Sequence, residues 1–263
     1  SALDEAIALA EEAIEAGAEI ITLPEYCGGL KTEGSAFAPP FEAEESHPVL
    51  KGLMDFAKTR KKYLLIGSIA IKGPAEKFLN RSFIIDDCGN IISRYDKIHL
   101  FDITLSEKVS YRESATVHSG QTAVICQTPL GCLGQTICYD LRFPHLYRDL
   151  SQSGAEILFV PAAFTKKTGE AHWHVLNRAR AIENGAFVVA PCAIGRVEGG
   201  GEIYGHSLII NPWGEILADG GADSGFINVN INLEEVNSAR NRIPSLSHDR
   251  AFEFKIVESL KKT

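Results

Sequence analysis

No apolar stretch of this chain approaches the roughly 20 consecutive residues that a membrane-spanning helix needs, so a helical membrane protein is not expected. No basic run is present either. The 26 lysines and arginines are outnumbered by 34 acidic residues, for a formal net charge of −8. That sign gives no support for nucleic-acid binding and argues against attraction to an anionic membrane. No secretory leader pattern is visible at the start. None of the six cysteines (Cys27, Cys88, Cys126, Cys132, Cys138 and Cys192) forms a Cys-x-x-Cys pair. Free thiols in a reducing cytoplasm are the simplest expectation. Histidine offers little toward a metal site. The one close pair, His172 and His174, has an i, i+2 spacing that does not put two ligands on one helix face. No linker or low-complexity tract interrupts the 263 residues, so residues 1–263 read as one α/β domain with room for a large core.

What is present is an alternation of two hydrophobic periods. Leu3, Ile7, Ala10 and Ile14 fall on one side of a helix over 3–16, closed by Gly17. Helices are also expected over 47–61, 144–153 and 172–184. Strands are expected over 18–23, 63–70, 81–86, 91–95, 122–127, 132–137, 155–160, 186–190, 207–210, 215–218 and 226–231, followed by a partly helical polar tail. Asp87-Cys88-Gly89-Asn90 and Asn211-Pro212-Trp213-Gly214 read as turns, the latter with Trp213 packed. The phrases Ala16-Gly17-Ala18-Glu19-Ile20 and Ser153-Gly154-Ala155-Glu156-Ile157 open similar runs of elements in the two halves. A pseudo-symmetric sheet core covered by helices follows. The chain opens directly on a helix, so the strand that would complete the first run is expected to be absent.

Three strand ends carry chemistry. Leu23-Pro24-Glu25 follows one apolar strand, Tyr95-Asp96-Lys97 another, and Cys138 a third. Cys138 stands between the apolar run ending at Ile137 and a helix starting at Pro144. That is where open α/β sheets place reactive groups and where a helix dipole favours thiolate. Burying one unpaired charge costs several kcal/mol. Opposite charges beside a thiol offset one another and can work: Glu25 as proton acceptor, Lys97 as partner for negative charge on sulfur or on an oxyanion. A different pairing, of Cys138 with His172 or His174 as in a cysteine protease, is the rival. A non-catalytic binding protein on the same fold is the third.

These motifs, in this order, resemble the nitrilase superfamily of carbon–nitrogen hydrolases. Leu23-Pro24-Glu25 is similar to its glutamate motif, the run from Tyr95 to Asp102 to its lysine motif, and the run from Ile137 to Pro144 to its cysteine motif. Tyr111-Arg112-Glu113-Ser114 is similar to the surroundings of a second family glutamate. The stretches 169–173, 179–184 and 206–215 are also similar, so the likeness spans nearly the whole chain. It implies a four-layer α-β-β-α sandwich and hydrolysis of a non-peptide carbon–nitrogen bond through a Cys138 thioester. Glu25 would be general base, Glu113 would hold Lys97, and Lys97 with the backbone of Tyr139 would form the oxyanion hole. No cofactor or metal is implied. The branch most resembled is that of omega-amidases and deaminated glutathione amidases, so the expected substrate is a small carboxylate-bearing amide; a small nitrile is the alternative. Arg142, Lys166 and Lys167 are available to meet the carboxylate, or Arg142 braces the turn at Cys138. The family's habit of pairing near the cysteine turn makes a homodimer or larger homo-oligomer expected. Leu146, Tyr147 and Leu150 are candidate contacts there, unless they pack on their own sheet.

Overall fold

Local signals set the helix bounds. Helix α2, Pro48–Arg60, begins with proline at its first position, where the missing N–H costs nothing. The His47 side chain there accepts the Leu50 N–H at 3.5 Å, and the helix ends on Lys61 in left-handed conformation. Helix α1 spans Ala2–Glu15, and its Leu3, Ile7, Ala10 and Ile14 stripe packs on the first sheet. The computed structural model describes residues 1–107 and 109–257. Helix α3, Pro144–Gln152, follows a 3-10 turn over Cys138–Arg142. Helix α4, Lys166–Asn184, starts six residues before the expected 172. Gly169 hid that start, because glycine weakens a helical pattern. Here it is needed: a Cβ at 169 would lie 2.3 Å from the Tyr204 ring.

The first sheet has the order Ile20–Thr22, Tyr63–Lys72, Phe78–Ile85, Ile91–Asp96, with Phe41–Glu42 also paired to Tyr63–Lys72. The second has the order Val124–Thr128, Gly131–Gln135, Ile157–Phe159, Phe187–Ala190, Leu208–Ile210, Ile216–Asp219. In each sheet a parallel pair (Ile20–Thr22 with Tyr63–Lys72; Ile157–Phe159 with Phe187–Ala190) is followed by two antiparallel strands. That is the repeat expected from the paired Gly-Ala-Glu-Ile phrases. The halves differ at one edge. Gly131–Gln135 lies parallel to Ile157–Phe159, whereas among the described residues Ile20–Thr22 ends its sheet.

Four layers result. Leu50, Leu53 and Phe56 of α2 cover one face of the first sheet through Leu64, Ile66 and Phe83. The alternate residues Leu65 and Ile84 face Leu133, Ile157, Phe159 and Phe187 of the second sheet. Alternation along each strand serves both layers, since successive side chains point to opposite faces. Outside the second sheet, Leu146, Tyr147 and Leu150 of α3 and Trp173 of α4 pack on Leu158, Val188 and Leu208. Each fully buried Leu or Val stabilises by about 1.5–3 kcal/mol.

Three expectations are corrected. The run 226–231 forms no strand. Its alternation satisfies one-sided burial, but it forms no ladder with any described strand, and Asn228 instead donates to the Ala16 carbonyl at 2.7 Å. Leu146, Tyr147 and Leu150 are consumed by the chain's own core, and so are not available as subunit contacts. Trp213 is 53% exposed, with the Arg242 guanidinium 4.5 Å above its ring. The turn itself holds, because the Asn211 side chain accepts the N–H groups of Trp213 and Glu215.

Candidate active site

Two antiparallel steps restore strand direction, so Ile20–Thr22 and Ile91–Asp96 deliver Glu25 and Lys97 at the same edge of the first sheet. Gly131–Gln135 delivers Cys138 from the second sheet. The approach is close enough to require glycine at one point. A Cβ on Gly67 would lie 2.0 Å from the Leu23 carbonyl oxygen and 2.6 Å from Pro161.

Glu25, Lys97, Glu113 and Cys138 come together, exposed by only 3, 2, 0 and 6%. Lys97 Nζ donates to Glu25 Oε1 at 2.9 Å and to Glu113 Oε2 at 2.9 Å and Oε1 at 3.1 Å. Asn80 on Phe78–Ile85, which the sequence offered no reason to single out, bridges the same carboxylates. Its amide donates to Glu25 Oε1 at 2.9 Å and Glu113 Oε1 at 3.1 Å. Glu113 also accepts from the Tyr26 hydroxyl at 3.1 Å and the Phe101 N–H at 2.6 Å. Glu25 Oε2 accepts the Ala163 N–H at 2.9 Å.

A carboxylate has about four acceptor positions. Glu113, held by Lys97 on both oxygens and by Asn80, Tyr26 and Phe101, has none left. Glu25, held by Lys97, Asn80 and Ala163, retains one. The Cys138 thiol couples to it by charge. Burial first, then the Glu25 charge, push the thiol well above its ordinary range, and Lys97 only partly opposes them. Both favour the protonated thiol, which suits a role for Glu25 as its proton acceptor, against the pull of a helix N-terminus toward thiolate. Burial would depress Lys97, but Glu113 and Glu25 outweigh it and hold the ammonium well above its usual range.

The turn is held under strain. Cys138 has φ +48°, an uncommon conformation for a residue with a side chain, and its N–H donates to the Pro161 carbonyl at 2.9 Å. Asp140, fully buried, clamps both sides. It accepts the Ile137 N–H at 2.8 Å on the cysteine side, and the Tyr95 hydroxyl at 2.6 Å and His99 N–H at 3.1 Å on the lysine side. Arg180 of α4 grips the Leu141 carbonyl at 2.7 and 3.1 Å. Asp140 reaches back three residues to the Ile137 N–H, a contact that the residue types Ile-Cys-Tyr-Asp do not announce.

Above Cys138 opens a pocket lined mainly by Leu30, Phe37, Phe101, Tyr111, Tyr139, Phe164, Val197 and Ile203. Thr32 and Glu202 add polar groups to its wall. The Thr32 hydroxyl is buried without a hydrogen-bond partner. None of the three candidate carboxylate contacts lines the pocket. Arg142 lies 3.3 Å from His172 Nδ1 and packs over Tyr139 and Phe164, which favours its bracing role. Lys166 pairs with Glu202 at 3.2 Å, beside the rim. Lys167 is exposed. Neither His172 nor His174 lines the pocket; they are engaged by Arg142 and Asp219. The protease pairing has no geometry. Among the described residues, no helix is long and apolar enough to cross a membrane.

Residues 1–241 match the family described as carbon-nitrogen hydrolase. The chain is similar to the deaminated glutathione amidase of Synechocystis sp. (strain PCC 6803 / GT-S), at 39% identity over 254 residues, 94% of this chain and 91% of that one. It is also similar to omega-amidase NIT2 of Bos taurus, at 32% identity over 249 residues, 95% of this chain and 89% of that one. Among solved structures, the C. elegans NitFhit protein superposes with a TM-score of 0.85 at 32% identity, covering 95% of this chain and 61% of that one.

Proposed function

The chain belongs to the carbon–nitrogen hydrolase family, the nitrilase superfamily that its motifs resemble, and is a hydrolase of carbon–nitrogen bonds; we propose that it cleaves the terminal or γ-linked amide of a small carboxylate-bearing molecule through a thioester on Cys138. The observation that carries this reading is the unequal filling of the two carboxylates around Lys97. Glu113 is saturated and serves as a fixed counter-charge that positions Lys97. Glu25 has one open acceptor site, beside the thiol.

In this reading Glu25 takes the thiol proton as sulfur attacks the amide carbon. The transfer leaves the net charge of the buried cluster unchanged, so no isolated ion is created in a dry site. Lys97, whose N–H toward Glu25 is released as that carboxylate takes the proton, and the Tyr139 N–H receive the oxyanion; such a donor contributes roughly 10²–10³ in rate. Glu25 passes its proton to the departing nitrogen, giving ammonia or an amine and the acyl-cysteine. It then deprotonates a water that releases the acid and restores the thiol. One group that both accepts and donates suits general acid–base work. Relatives named for deaminated glutathione and omega-amides support an amide over a nitrile. The apolar walls fit the aliphatic body of such a substrate. Its distal carboxylate meets Lys166 at the rim, where Lys166 would leave Glu202.

The test is ammonia or amine release from deaminated glutathione, a 2-oxo acid ω-amide and simple nitriles, by the unmutated chain and by Cys138→Ala. Turnover of an amide that vanishes in the variant, with an acyl adduct on Cys138 by mass spectrometry, is expected. Near-normal turnover by the variant, or an adduct on another cysteine, sinks the mechanism. Turnover of nitriles alone overturns the substrate class.

A further inference from the structure

In the sequence His174 stands two residues from His172, a spacing that puts them on different sides of a helix. Tertiary structure turns it away from His172 and toward His206 and Asp219, on three separate elements. His174 is on α4, His206 lies between the short strand Glu202–Tyr204 and Leu208–Ile210, and Asp219 ends Ile216–Asp219. We propose that these three residues bind one divalent transition-metal ion of the zinc, nickel or copper type.

The ligand atoms of all three residues lie within 4.8 Å of one another. His174 Nε2 is 2.9 Å from Asp219 Oδ2, and His206 Nδ1 is 2.9 Å from Asp219 Oδ1. An ion bonded at about 2.0–2.2 Å to two imidazole nitrogens and a carboxylate oxygen would hold each N···O pair about 3.3 Å apart, so rearrangement by a few tenths of an ångström suffices. Two imidazoles with a carboxylate favour borderline ions over calcium or magnesium.

The ligands are also held from behind, as metal-binding imidazoles usually are. Tyr204 stacks on His206 with ring centres 4.5 Å apart, and its hydroxyl lies 3.5 Å from His174 Nδ1, leaving Nε2 to face the carboxylate. The Trp173 indole N–H donates to the His206 carbonyl at 2.7 Å. The Gly221 N–H donates to Asp219 Oδ1 at 2.9 Å. The side chains of His174, His206 and Asp219 are 28, 26 and 34% exposed, so an ion and a water to complete its shell can enter. A bound ion would tie α4 to the strand Glu202–Tyr204, whose Glu202 and Ile203 line the active-site pocket. The site rests on this geometry alone and stands whether or not the amidase reading does.

The experiment is titration of the tag-free chain with Co²⁺ and Zn²⁺, followed by absorption spectroscopy and calorimetry. One ion per chain is expected, with visible cobalt bands and no thiolate charge-transfer band. Cu²⁺ bound to the unmutated chain should show two nitrogen ligands by electron paramagnetic resonance, a readout that needs no variant to fold. His174→Gln and Asp219→Asn should each weaken binding at least roughly tenfold, the lower end of what losing even an outer-shell partner costs. Cys88→Ser tests the other three-ligand group among the described residues, Asp86, Asp87 and Cys88, and should leave binding unchanged. Absence of saturable binding overturns the proposal. So does a charge-transfer band, a copper spectrum without nitrogen, or binding that survives His174→Gln.

Discussion

The two halves build the same strand end and use it differently. Ile20-Ile21-Thr22-Leu23-Pro24-Glu25 in the first half corresponds to Ile157-Leu158-Phe159-Val160-Pro161-Ala162 in the second, each on the parallel strand of its sheet. The first half places a carboxylate after its proline. The second places alanine there and contributes main chain instead: the Pro161 carbonyl takes the Cys138 N–H, and the Ala163 N–H holds Glu25 Oε2. The same holds one strand pair further on, where Lys97 follows Asp96 but Gly220 follows Asp219. Two carboxylates and a lysine in one dry space are tolerable because the ammonium lies between the carboxylates and the charge that remains is held by donors from Asn80, Tyr26 and the Phe101 and Ala163 N–H groups. A second set from the other half would leave buried charge uncompensated, at several kcal/mol per ion. One half supplies charge; the other supplies dipoles and the nucleophile.

The sharpest way to break this division is to remove the charge that balances it. Lys97→Met leaves Glu25 and Glu113 facing each other, and should cost about 3–5 kcal/mol of stability as well as turnover. A urea unfolding curve unchanged from that of the unmutated chain would show that the carboxylates never depended on Lys97. Next is the asymmetry between the carboxylates. Glu25→Gln keeps shape but loses the proton acceptor, so kcat should fall by roughly 10²–10⁴. Glu113→Gln should lower kcat less. Equal losses would erase the distinction between base and counter-charge.

Glu25→Gln has a second signature. The Glu25 charge raises Cys138, so removing it should move the pH profile of Cys138 alkylation to lower pH, followed by mass spectrometry of the modified peptide. In the unmutated chain the rate should still be climbing above pH 9, where an ordinary thiol is mostly ionised. A plateau near neutrality would show a preformed thiolate.

Smaller effects test the seam and the pocket. Gly67→Ala drives a Cβ into the Leu23 carbonyl and Pro161, so it should destabilise by about 1–3 kcal/mol and lower kcat by displacing Glu25. A thermal melt and rate at the level of the unmutated chain would mean that the two halves can part without consequence. Thr32→Val removes the unpartnered hydroxyl in the pocket. It should leave stability unchanged while kcat/KM drops by at most about tenfold, the worth of one hydrogen bond. No change in kcat/KM would place substrate away from Thr32.

Much of this was legible in order along the chain. The stripe of Leu3, Ile7, Ala10 and Ile14 marked α1, and apolar runs that stop abruptly at Glu25, Lys97 and Cys138 marked the edge where the site forms. Alternation failed at 226–231, because it reports burial on one side and not whether another strand's hydrogen bonds are at hand. Asn80 was invisible because a buried polar residue in a strand looks like any outward-facing one until its partners are known. Arg142 was ambiguous for the opposite reason: it closely follows Cys138 in sequence, but its guanidinium is set against His172, Tyr139 and Phe164, outside the pocket lining.

The sequence alone determined which residue types stand at the ends of which strands, and hence that a thiol, an ammonium and carboxylates were present. Tertiary structure decided their roles. Glu25 meets Ala163 across 138 positions and the seam between sheets, and Cys138 meets Pro161 from the neighbouring strand of its own sheet, and backbone donors leave no mark in an amino-acid sequence. Whether a carboxylate is a base or a counter-charge depends on how many of its acceptor positions are already filled. Likewise, whether a histidine pairs with its neighbour or with residues 32 and 45 positions away depends on which elements pack together. Both are properties of the packed chain, set by contacts that local propensity does not encode.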